Sequence, residues 1–224
     1  MGGTHILITD FEGNPNIGAY ALATDKYCLV GHNISKNIIK EIEEIFKVPV
    51  YQISIAGTDL VGIFCAANNR KLLVPNLVFD SEIKRLKDLN IDFEIIDTEL
   101  TALGNNILCN DNGAIINIHY TEKEKEKIEK ALGVKAIKMK ISNVEVPGSC
   151  AALTNTHCVI HRDIDEEDLK KVEKHLGVKC ETGTVNLGVP YIRVAVVNNS
   201  FGLMVSKSTT GPEINNLDQG LGYR

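Results

Sequence analysis

The chain has 224 residues, 44% of them hydrophobic and 24% charged, enough to bury a core without disulfide or metal staples. A formal charge of −5 and a pI near 5.7 argue against affinity built mainly on neutralising nucleic-acid phosphates. No apolar run approaches the roughly 18 residues of a membrane helix, the opening MGGTHILITD lacks signal-peptide features, and Leu7 stands near where a myristoylation signal needs Ser or Thr. The composition therefore reads as a soluble cytoplasmic protein with six reduced, packed cysteines.

The first expected element is a strand, THILITDF, from Thr4 to Phe11. After Gly18, two short apolar runs around Asp25-Lys26 read as a β-hairpin. Ile38, Ile39, Ile42, Ile45 and Phe46 then form a helical stripe, and VPVYQISIAG reads as a third strand leading to Gly62. The order returns from Gly62: a hairpin turning at Asn68-Asn69, a helix capped by Asp80 with Ile83, Leu86 and Leu89 on one face, and another strand. From Gly104 the hairpin turns at Asp111 to Gly113, and Thr121 with Glu124 has capping-box spacing. From Gly148 the turn is Asn155-Thr156, and Asp165 caps a helix carrying Leu169, Val172 and Leu176. From Gly188 the turn is Asn198-Asn199, and Thr210 with Glu213 opens the last helix, with Pro212 early enough to need no N–H donor. The tip residues suit turns that need a positive φ or side-chain bonds to the backbone.

Two markers set the period. The apolar residue that ends each helix recurs at 46, 89, 132, 176 and 221, and the anchor glycines Gly18, Gly62, Gly104, Gly148 and Gly188 follow at intervals of 44, 42, 44 and 40. KALGVKA and KHLGVKC write the helix ends most clearly: Gly133 and Gly177 stand where a left-handed cap is needed, Asn90 is the next best residue there, and Lys47 the least suited. Each unit is thus ββαβ, and the units run approximately 16–59, 60–101, 102–145, 146–185 and 186–224. The fifth lacks its third strand, and residues 4–11 supply one, so the expected fold is a single closed five-bladed α/β propeller without exposed sheet edges.

The chemistry-bearing residues are sparse. Cys28 and Cys158 occupy matching hairpin positions, Cys65, Cys109 and Cys150 fall in first strands, and all read as packed strand residues. His157 and His161 share one strand face, with His119 at a comparable site in the preceding unit, but a metal would want a further ligand and supporting partners, so no metal or other cofactor is expected. No P-loop, dinucleotide fingerprint, nucleophile elbow or zinc signature is present, and EKEKEKIEK reads as a solvated helix face. No catalytic residue is assigned. The residues just after the anchor glycines, Ile63, Asn105, Asn106, Ser149 and Val189, differ between units while their surroundings repeat, as an asymmetric binding face at the ring axis would.

The strings SIAGT, LLVPN, TALGN followed by CND, and GTVN-x-G, in register with five such units, resemble the archaeal and eukaryotic translation initiation factor 6 family over the whole chain. The resemblance implies the pentein fold and a non-enzymatic factor that binds the large ribosomal subunit and sterically prevents its joining the small one, with a further role in large-subunit biogenesis. It implies contact mainly with a ribosomal protein near the sarcin-ricin loop, limited rRNA contact, and a monomer with no DNA or membrane partner. Carried over residue by residue, it adds Cys150 in PGSC and Tyr191 after NLGV to Asn105 on the binding face. Ile63 departs from eukaryotic members, which tend to be basic there. Those members also carry a regulatory tail past the fifth unit, and control of that kind is not expected in a sequence ending at Arg224. Two alternatives stand beside this one: a guanidino-modifying enzyme, whose nucleophilic cysteine would come late in the chain, where none follows Cys180, and a general protein-binding scaffold.

Overall fold

A computed structural model describes residues 5–223. Its strands fall into five sheets of three, each with the second strand of its unit in the centre, antiparallel to the first and parallel to the third. The fifth sheet takes its third strand from the other end of the chain. Ile6–Ile8 lies parallel to Leu203–Val205, with Ile6 opposite Leu203 and Ile8 opposite Val205, as the closing strand requires. The expected Thr4 start lies outside the described residues.

Each sheet is backed by one helix: Lys36–Phe46, Asp80–Asp88, Glu122–Leu132, Glu166–Leu176 and Gly211–Gly220. The apolar stripes account for the docking. In the third unit, Ile128 and Leu132 are buried with Tyr120 against Ala114, Ile116 and Leu103, and equivalent clusters fill the others. Thr121 and Asp165 cap their helices as expected, accepting from the amides of Glu124 and Asp168. Asp80 does not: it is the first helical residue, and the cap position is Phe79, whose amide instead donates to Glu82 at 2.9 Å. Lys47, Asn90, Gly133 and Gly177 all adopt φ between 55° and 67° after their helices, so even the lysine is held left-handed. After Gly133 and Gly177 the following valine amides donate back to Glu129 and Glu173.

The hairpin tips use side-chain bonds and no positive φ. Thr24, Asn68, Asn110, Thr154 and Asn199 each accept, through a side-chain oxygen, amides two and three residues on. The fifth tip is therefore Ser200-Phe201, two residues beyond the expected Asn198-Asn199. These tips also latch neighbouring units. Asn68 donates to the Leu132 carbonyl at 2.9 Å, Asn110 to Leu176 at 2.9 Å, and Asn199 to Phe46 at 2.9 Å and Thr24 at 3.1 Å, the last pair joining the fifth unit to the first and closing the ring.

At the other end of the axis the first strand of each unit is preceded by a helical turn: Ile17–Tyr20, Val61–Phe64, Leu103–Asn106, Pro147–Ser149 and Ile192–Ala195. Gly18, Gly62, Gly104 and Gly148 sit in four of them, and a Cβ on each would fall inside the carbonyl oxygen of the preceding unit's equivalent residue. Gly188 is not the fifth member. It lies in the turn before the helical segment at φ 101°, and the ring position belongs to Arg193, whose carbonyl occupies the space beside Gly18. The interval of 40 residues marked the wrong glycine; from Gly148 to Arg193 it is 45.

Gly104→Ala is expected to destabilise by more than about 3 kcal/mol or to prevent folding, because the new methyl would also stand 2.6 Å from the Cys65 carbonyl. Gly211→Ala, with open space around the position and ordinary φ, should be neutral or stabilising by about 0.4–1 kcal/mol when both variants are unfolded in guanidinium chloride beside the parent.

Candidate functional site

The residue after each ring position faces the helical-turn end of the axis, so Ala19, Ile63, Asn105, Ser149 and Val194 line one depression of about 370 Å³. Val189, Tyr191 and Asn186 complete its wall. Five of the seven expected site residues, Ile63, Asn105, Ser149, Val189 and Tyr191, thus come together. The other two are turned inward. Asn106 is buried, donating to the Ala102 carbonyl at 2.9 Å and accepting from Asn117 at 2.7 Å, and Cys150 is fully buried with its thiol toward Val146. Both stand where the helical turn ends, Asn106 as its last residue and Cys150 directly after it, on the side turned to the core.

The fifth unit makes the depression asymmetric. Its turn before the helical segment runs through Asn186, Leu187 and Gly188 at φ 47°, 64° and 101°, one residue longer than the corresponding turns, where isolated bridges span Phe11–Asn14, Ile55–Thr58 and Ile141–Val144. That extra length thrusts Leu187 outward to 79% exposure, beside Tyr191 at 41%. Both large apolar side chains are thus open to solvent. Leu187 is absent from the sequence-derived site; its signal there is an apolar residue directly before a turn glycine in NLG, and the near-period spacing of Gly188 masks it.

The loop is held by one carboxylate. Glu213, at the third position of its helix, accepts the amides of Gly188 at 2.9 Å, Leu187 at 3.3 Å and Thr210 at 2.8 Å, with the hydroxyls of Thr184 and Thr210. Burial pushes its pKa up, but the hydrogen bonds from Thr210, Thr184 and Gly188 together outweigh it and hold the carboxyl below its ordinary value. Tyr191 is buttressed by His161, ring centroids 5.6 Å apart and nearly perpendicular. Burial lowers the His161 pKa, partly opposed by Asp163, so the neutral ring makes this contact.

The six cysteines are unpaired. Burial pushes Cys109 up to about 12 and Cys150 to about 11, and raises Cys28 and Cys65 further, so no thiol there is poised as a thiolate nucleophile. Among the described residues no three His, Cys, Asp or Glu side chains group to hold a metal ion, and no helix is long and apolar enough to cross a membrane.

The model of the eIF-6 family matches residues 6–220. The chain belongs to the eIF-6 family. It is 34% identical over 225 residues to translation initiation factor 6 of Thermococcus onnurineus, covering 98% of this chain and 99% of that one. To the protein of the same name from Sulfolobus acidocaldarius it is 40% identical over 205 residues, covering 90% and 92%. A solved structure of a DDAH mutant from Pseudomonas aeruginosa, complexed with citrulline, is similar with a TM-score of 0.50 and 12% identity over 75% of this chain and 68% of that one. At that identity the likeness concerns the α/β pentein fold alone. For this eIF-6 family member the depression, walled by Tyr191 and flanked by the loop that carries Leu187, is the asymmetric feature of the ring axis on the helical-turn side.

Glu213→Gln replaces an acceptor-only group with one that cannot receive all these donors, and should destabilise by about 1–3 kcal/mol. Because the folded pKa is depressed, the carboxylate's contribution is present above the unfolded value of about 4.3 and is lost as pH falls through the lower folded value. Unfolding free energy of the parent should therefore fall across that acidic window more steeply than that of the variant.

Proposed function

We propose that this chain is a ribosome anti-association factor that docks its helical-turn end on the large subunit and sterically blocks joining of the small one, without catalysis. The observation that carries the reading is the apolar depression walled by Tyr191, with the exposed Leu187 on the loop between its lining residues Asn186 and Val189, in a chain whose relatives are named translation initiation factor 6. A concave apolar centre with a protruding aliphatic and an aromatic anchor is the form in which a few side chains carry most of a protein–protein binding energy. The acidic balance of the chain suits a basic ribosomal protein, near the sarcin-ricin loop, better than a broad grip on rRNA phosphates. The factor acts as a cytoplasmic monomer, since one ring face suffices to occlude a subunit surface. Raised thiol pKa values support a role without covalent chemistry, against the guanidino-modifying alternative.

In sucrose gradients the purified protein is expected to travel with free large subunits and to be absent from joined ribosomes; protein remaining at the top of the gradient rejects the reading. Asn105→Asp combined with Tyr191→Glu should weaken subunit binding at least tenfold, about 1.4 kcal/mol, while Tm changes little because both residues lie at the surface of the depression. Undiminished binding by a folded double variant would exclude this interface.

A further inference from the structure

The sheet of the fourth unit sets two cysteines side by side. Cys158 lies in the central strand His157–His161 and Cys180 in the third strand Lys179–Gly183, which runs parallel to it with Cys180 directly opposite Cys158. Residues so paired project from the same face of a sheet. Both side chains accordingly pack into one apolar cluster with Val172, Leu176 and Val178. Neighbouring strands stand about 4.8 Å apart, inside the roughly 4.4–6.8 Å between Cα atoms that a disulfide spans. The Cys180 thiol is the largest cause holding the Cys158 pKa well above its ordinary value, ahead of burial and the charge of Glu173, so the two sulfurs are neighbours as well as the two backbones.

The repeat does not require this pair. At the same register the third strands of the other units carry Val50, Phe93, Ala136 and Ile6, so hydrocarbon serves the packing equally well. Among the described residues no other two cysteines stand opposite each other across strands: Cys28 faces Ala23 and Val50, and Cys109 faces Ala114. The two thiols also differ in access. Lys179–Gly183 is the outer strand of its sheet and Cys180 is 8% exposed, whereas Cys158 is wholly buried. An outer strand is hydrogen-bonded within its sheet on one side only, which leaves it room to adjust as two sulfurs close to bonding distance. A small oxidant therefore meets Cys180 first.

We propose that Cys158 and Cys180 form a redox modification site, which hydrogen peroxide converts to a strand-to-strand disulfide and a dithiol restores. In the first step a peroxide oxygen passes to the Cys180 sulfur as the O–O bond breaks, leaving a sulfenic acid and one water. The Cys158 sulfur then attacks the Cys180 sulfur. The S–S bond forms as the S–O bond breaks, and the hydroxyl leaves with the Cys158 proton as a second water. Two thiols have lost two electrons and the peroxide has gained them. Thiolate is the attacking form and Cys158 is held protonated, so coupling should be slow near neutrality and quicken as pH rises. The site stands on the sheet geometry of the fourth unit and does not depend on the ribosomal reading.

The test treats the folded full chain with hydrogen peroxide in mildly alkaline buffer, then unfolds it, alkylates the remaining thiols and maps the peptides by mass. The peptides of Cys158 and Cys180 should be joined and two hydrogens lighter than their sum, with the other four cysteines alkylated. Tm of the linked chain should exceed that of the reduced chain by about 4–10 °C, because the link closes the loop that contains helix Glu166–Leu176, and dithiothreitol should reverse both changes. The same treatment in guanidinium chloride should scatter links among the six thiols. Cys180→Ala, at the partly exposed position, should abolish the link. Cys158→Ala should instead leave a sulfenic acid on Cys180 that dimedone captures; if that buried change unfolds the chain, the peptide map of the parent and the Cys180 variant decide the question. Cysteines that all stay free to alkylate, links joining other cysteines in the folded chain, or a linked chain that melts below the reduced one overturns the proposal.

Discussion

The contact on which the ring depends is that of a backbone carbonyl pressed against a neighbouring glycine. At Gly18, Gly62, Gly104 and Gly148 the carbonyl oxygen of one unit occupies the volume where the next unit's Cβ would be. Close-packed interiors have no slack to absorb a methyl there. The spacing of the helical turns around the axis, and hence the width of the channel, follows from this approach. The hairpin latches at the opposite end, Asn68, Asn110 and Asn199 to helix-end carbonyls, hold the same neighbours at a second level and resist tilting of one unit against the next.

A symmetric ring has no reason to prefer a partner, so function has to come from departures from the repeat. Both departures fall in the fifth unit. Its longer turn, pinned by Glu213, projects Leu187 and positions Tyr191 over the depression, while Arg193 takes the place of the fifth glycine. Arg193 supplies the carbonyl that presses against Gly18. The fifth unit also lacks its own third strand, which the N-terminal segment provides in parallel register.

Much of this was legible in the letters. Periodic apolar stripes, Thr121 with Glu124, and the glycines after Leu132 and Leu176 specify helices and their ends locally, and the local physics survived in the fold. The errors were local too. Asp80 was preferred as a cap because its side chain suits one, yet Glu82 reaches the Phe79 amide from inside the helix and makes that cap unnecessary. Gly188 has the identity of a ring glycine without its register; the tip residues, which recur at 24, 68, 110, 154 and 199, carry the truer period.

By itself the sequence determined the unit, its repetition and the need for the N-terminal strand, since turn chemistry, caps and apolar period act over a few residues. Which side chains converge on the axis was decided only by tertiary structure. Asn105 and Asn106 are adjacent letters of equal character, but the helical turn sends one to the depression and the other into the core. Arg193 is unremarked in its stretch until ring closure puts it at the axis, in the place the other units give to glycine and between two cavities. Burial is a property of the assembled ring, and no local pattern encodes it.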